Sequence, residues 1–151
     1  MNRGLRVFGH PLHAMLSDFP LVLLGTSLVW DALGIWRGEA VWWAISFWNI
    51  ALGLSAALVA AMAGAVDYTT IKQDEPASKL ATLHMMLMLL AVSLYGASLL
   101  LRGGPAPPVG ASRAGGLILE SLGLLLLMAG GWCGGHLVFH HGIGRDQTGE
   151  R

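Results

Sequence analysis

Residues 114–139 read AGGLILESLGLLLLMAGGWCGGHLVF, an apolar run whose one acidic residue is Glu120 and which ends in a glycine-rich patch beside His136. A helix needs roughly 20 predominantly apolar residues to cross the hydrocarbon layer of a bilayer, and this stretch has them. Three further stretches of the same kind lie upstream, at about 14–36, 41–66 and 80–101. Short polar connections separate them. Arg37-Gly38-Glu39 reads as a tight turn, Lys72 to Pro76 as a charged loop whose proline suits helix entry, and Arg102 to Pro108 as a breaker-rich connector. Lipid cannot satisfy open backbone groups, so the pattern predicts an all-α fold: an integral membrane, antiparallel four-helix bundle forming a single domain over 1–151.

Composition agrees. Of 151 residues, 54% are hydrophobic and 12% charged, outside the range of soluble domains. The formal net charge is zero and no Lys/Arg run occurs, so nucleic-acid binding has no electrostatic footing. The single cysteine, Cys133, allows neither an intrachain disulfide nor a CxxCH attachment of haem. The N-terminus is basic enough for a signal peptide. The apolar stretch after it is long, contains Asp31 and lacks a small-residue cleavage site, so it reads as a retained first helix.

Threading four spans through a membrane places all six histidines on one side. His10 and His13 precede or open the first span, His84 opens the third, and His136, His140 and His141 close the fourth. That side also carries Arg3, Arg6, Lys72, Lys79, Arg145 and Arg151, against Arg37, Arg102 and Arg113 opposite, so the positive-inside rule assigns it, and both termini, to the cytoplasm.

His10-Pro11-Leu12-His13 puts two imidazoles on one face of the first helical turn. His84 and His136 reach a similar depth on other helices. His13, His84 and His136, with His10 in reserve, are therefore candidate cofactor ligands; imidazole is a common ligand of haem iron, copper and zinc. Asp67, at an anion-unfavourable helix C-terminus, is expected to find Lys72, Lys79 or a histidine N–H, the last being the usual carboxylate partner of a metal-bound imidazole. The plain alternatives are interfacial histidines bonded to headgroups or loops, and Asp67 as a loop cap.

Gly130, Gly131, Gly134 and Gly135 form two overlapping GxxxG spacings that admit a close neighbouring helix or a flat macrocycle. Asp31, Asn49 and Glu120, within spans toward the other face, read as interhelical hydrogen bonding, a proton path or the fringe of a quinone site. Trp30, Trp36, Trp42, Trp43 and Trp48 read as an aromatic belt. Met85 and Met88 serve copper only if they face the histidines. No internal repeat is evident.

His10-Pro-Leu-His13 with Phe19-Pro20, Gly64-Ala-Val-Asp67-Tyr68, and Gly130-Gly-Trp-Cys-Gly-Gly-His136-Leu-Val-Phe-His-His-Gly142-Ile-Gly144 resemble a bacterial family of four-helix membrane proteins, domain of unknown function 2231. Phe139 and Arg145 stand where that family often has tyrosine and valine. The resemblance implies a bacterial inner membrane and, because some relatives carry a Rieske-type iron–sulfur domain, electron-transfer surroundings. This chain has no Rieske cysteines, so a redox partner is expected on another polypeptide.

These readings converge on a b-type cytochrome-like electron-transfer subunit holding haem b noncovalently. The alternatives are a non-haem copper, iron or zinc site built from His10, His13, His84, His136 and Asp67, and a cofactor-free structural or assembly subunit. Expected partners are the lipid bilayer, redox or membrane-complex proteins, and a second copy of the chain. A stand-alone enzyme has no supporting motif; transport lacks a broken helix or a repeat.

Overall fold

Each apolar stretch must satisfy its own backbone groups in lipid, and each does so as one unbroken helix. The computed structural model describes residues 4–72 and 76–143. Within them, β1 (Arg6–Val7) and β2 (His10–Pro11) precede α1 (Leu12–Arg37), α2 (Ala40–Thr69), α3 (Pro76–Arg102) and α4 (Gly110–Phe139). All four helices are long and apolar enough to cross a membrane. Arg3, Arg145, Arg151, Gly144 and the centre of the 72–76 loop lie outside the described residues.

Local chemistry sets the helix ends. Gly38 adopts φ 71 and its N–H bonds to the Gly34 carbonyl, a left-handed cap that stops α1. Pro76 starts α3, where its missing N–H costs nothing. α3 and α4 begin about a turn before their apolar segments, at Pro76 and Gly110.

The N-terminal approach departs from expectation. Phe8 (φ 50) and Gly9 (φ 82) form a turn that pairs Val7 with His10 and Arg6 with Pro11. His10 is therefore in a β-hairpin and does not share a helix face with His13. Pro11 has extended ψ 113 and sits just outside α1, so the helical turn expected to hold both imidazoles starts too late.

The bundle buries polar groups beside an apolar core and turns apolar side chains outward. Ser27, Asp31, Ser46, Ser98 and Glu120 are fully buried, whereas Phe19, Val22, Leu58, Met86, Leu100 and Leu125 are exposed where lipid would meet them. Apolar burial gives no driving force between helices in hydrocarbon, so close packing and hydrogen bonds must hold them.

Packing is much more extensive within the α1–α2 and α3–α4 hairpins than between them. The hairpins are also copies of one plan, overturning the expectation of no internal repeat. Ser46, Ile50, Gly53, Ala57, Ala60 and Ala63 on α2 recur 70 residues on as Gly116, Glu120, Gly123, Leu127, Gly130 and Cys133, all buried. Pro20, Leu24 and Ser27 on α1 recur 71 residues on as Ala91, Tyr95 and Ser98. Close approaches recur too: an added Cβ at Gly53 would strike Leu24, and one at Gly123 would strike Tyr95, its counterpart. Both hairpins enter from the same side, so the two halves form a parallel repeat, one of the repeat geometries of membrane bundles.

Candidate functional site

Side-chain length and helix phase bring two of the predicted ligands together at the end of the bundle where α1 and α3 begin. His13 on α1 and His84 on α3 face one another with ring centroids 6.3 Å apart and planes at 76°. Both are half-buried. Each imidazole reaches across its own hairpin: His13 Nδ1 lies 2.8 Å from the Ala60 carbonyl oxygen and His84 Nδ1 lies 2.7 Å from that of Gly130. A carbonyl only accepts, so both Nδ1 atoms carry the proton and donate. Both Nε2 atoms are left with a free lone pair, the form in which histidine binds a metal.

Glycine permits this arrangement. A Cβ at Gly64 would lie 2.8 Å from His13 Cε1, and one at Gly134 would lie 3.0 Å from His84 Cε1. These glycines are counterparts in the repeat, as are Ala60 and Gly130. The two GxxxG spacings of α4 accordingly divide: Gly130 and Gly134 face Met88 and His84 on α3, while Gly131 and Gly135 meet nothing within 4 Å.

The other predicted ligands lie elsewhere. His136 falls between the buried positions Cys133 and Leu137, and its ring stacks with Trp132 at 5.4 Å and with His140 at 4.6 Å. His141 packs edge-on against both His136 and His140, at 5.6 and 5.1 Å. His10 is exposed, with Nδ1 3.1 Å from the Phe8 carbonyl. Asp67 accepts the Leu5 N–H at 2.7 Å, so this carboxylate fastens the N-terminal segment to the end of α2. Among the described residues, no group of three or more His, Cys, Asp or Glu side chains could hold a metal ion. Met88 packs on the central core beside Gly130.

The far end of the bundle holds a second polar cluster, assembled by a residue that sequence reasoning placed in a loop. Arg102, the last residue of α3, turns its guanidinium inward, and its side chain is 2% exposed. Nη1 donates to Asp31 Oδ1 at 3.0 Å and to Ser46 Oγ at 3.3 Å; Nη2 bonds Asp31 Oδ2 and, at 2.6 Å, Glu120 Oε1. Ser98 Oγ donates to Glu120 Oε1 at 2.5 Å, and Ser27 Oγ lies 3.4 Å from Oε2. Asn49, grouped with these carboxylates on sequence, instead donates to Thr26 Oγ1 at 3.1 Å. Trp43, read as part of an aromatic belt, is buried against Gly34, with Arg113 5.4 Å above its ring. Two acidic residues inside spans were the available signal for a buried cation, and the nearest helix-terminal arginine was its source.

The family described as "Predicted membrane protein (DUF2231)" matches residues 9–147. No curated protein and no solved structure matches the chain.

Proposed function

We propose, taking as premise that the chain belongs to the DUF2231 family of predicted membrane proteins, that it is a membrane electron-transfer subunit holding one haem b between His13 and His84. The observation that carries the reading is the 6.3 Å separation of two tautomer-fixed imidazoles on opposing hairpins. Two imidazoles bound through Nε2 on opposite sides of one ion, with bonds of about 2.0 Å and ring centroids about 1.1 Å beyond each nitrogen, stand ~6.2 Å apart. A tetrahedral ion would draw the centroids to about 5 Å. The separation therefore favours trans ligation over a compact copper, iron or zinc site, as does the dispersal of His10, His136 and Asp67.

His13 and His84 would hold the haem, which would supply a one-electron couple there. The Ala60 and Gly130 carbonyls orient the imidazoles. Contact between the hairpins is sparser than contact within them. Gly64 and Gly134 let each ring lie close against its neighbouring helix. Electrons pass to or from a separate protein partner at this end of the bundle.

We place the protein in a bacterial inner membrane with both described ends on the cytoplasmic side. Burial of Arg102 takes one positive charge away from the opposite loops, which supports that orientation. The cofactor-free assembly reading draws on the same two hydrogen bonds, since each already pins one helix to another.

An absorption spectrum of protein purified from haem-replete cells, with and without dithionite, decides between them. The expected result is a low-spin b-type spectrum, lost in His13→Ala and His84→Ala and retained in His10→Ala and His136→Ala. Absence of a Soret band and of haem by pyridine assay overturns the proposal.

A further inference from the structure

We propose that Asp31 and Glu120 hold one exchangeable proton between them, making the cluster around Arg102 a proton-binding site inside the membrane. It lies ~27 Å along α1 from His13, at 1.5 Å per residue, and does not depend on what the imidazoles bind.

The inference starts from charge. Asp31 and Glu120 are fully buried, and one guanidinium serves both. Two ionised carboxylates and one Arg102 would leave a net charge of −1 in a span, and an unbalanced charge there is expensive enough that a titratable group neutralises instead. Arginine stays charged, so the proton goes to a carboxylate. Geometry also brings the carboxyl groups together, since the one nitrogen Arg102 Nη2 bonds both Asp31 Oδ2 and Glu120 Oε1.

Among the described residues, no second cation is bonded to the pair. α1 contributes Asp31 and Ser27, and α2 contributes Ser46 and the Trp43 ring. α3 contributes Tyr95, Ser98 and Arg102; from α4 come Glu120 and Arg113, whose Nε is bonded to the Pro108 carbonyl and whose guanidinium lies over Trp43. Two buried polar atoms remain to receive something. The Tyr95 hydroxyl, on a fully buried side chain, and Arg102 Nε have no hydrogen-bond partner among the described residues. Arg102 also points the wrong way for a bilayer arginine: from a helix end it would ordinarily reach out to water, and here it is held inward.

Binding is a single balanced step. A proton arriving from the Arg102 end converts one carboxylate to a carboxylic acid and takes the cluster from −1 to zero; its loss reverses this. Ser98 Oγ lies within hydrogen-bond distance of Glu120 and can serve either form.

Infrared spectroscopy of the intact protein in lipid nanodiscs tests the site. At neutral pH we expect a carboxylic-acid C=O band that shifts in deuterium oxide and disappears in Glu120→Gln combined with Asp31→Asn. Glu39→Gln, at an exposed position, leaves it unchanged. Should the double variant fail to fold, carboxyl-13C-labelled glutamate or aspartate incorporated into the unmutated chain must shift the band. No acid band at neutral pH, or a band that neither label moves, overturns the proposal.

Discussion

Asp31 and Arg102 occupy matching places in the two hairpins, 71 residues apart, and are ion-paired to each other across the line where those hairpins meet. His13 and His84 are the corresponding matched pair at the other end. Matching positions of the two hairpins are thus complementary in charge at one end and identical at the other.

Removing the cation should expose the cost of that complementarity. Arg102→Ala leaves buried carboxylates without their partner, and breaking a buried pair in this way destabilises by about 3–5 kcal/mol. Unfolding in mixed micelles should register the loss. Glu39→Ala, which removes the exposed 3.8 Å contact with Arg37, should change stability by less than about 1 kcal/mol.

The glycines should separate into two classes. Gly64→Ala and Gly134→Ala place a methyl against His13 and His84 respectively and should displace the rings, diminishing the haem spectrum expected under the proposed function. Gly131→Ala and Gly135→Ala meet open space and should leave it intact. Equal loss in all four variants would assign the glycines to general helix packing.

Replacing one imidazole by a thioether tests ligation by its electronic consequence. His84→Met should retain low-spin haem with a higher reduction potential than the unmutated protein, because methionine opposite histidine raises the potential. Redox titration followed optically measures the direction. An unchanged potential in a haem-loaded variant would remove His84 from the ligand set.

Phe8 carries a positive φ of 50 and is 98% exposed at the tip of the N-terminal hairpin. A bulky residue there is strained by roughly 1–2 kcal/mol. Asparagine tolerates this conformation, so Phe8→Asn should slow proteolysis between Leu5 and Pro11.

The four spans and the convergence of His13 with His84 were legible because they rest on apolar length and helix ends, which a sequence displays directly. The phase of His136 was also available in principle: Gly130, Cys133 and Leu137 mark the buried stripe of α4, and His136 falls outside it. Arg102 was hidden, since an arginine followed by Gly103 and Gly104 reads as the start of a loop, and only packing turns its side chain inward. The repeat was hidden for a different reason. Leu24 corresponds to Tyr95, Ser46 to Gly116 and Ile50 to Glu120, so burial is preserved while chemistry is not. The places of His10 and Asp67 were not legible, because a turn at Phe8 and Gly9 folds the N-terminal segment back on the bundle, where Asp67 takes the Leu5 N–H.

The opposed charges at Asp31 and Arg102 bear on how such a chain can evolve. Two copies of the first hairpin would set aspartate against aspartate, and two copies of the second would set arginine against arginine. Neither half therefore reproduces, with a copy of itself, the ion pair that joins the two hairpins.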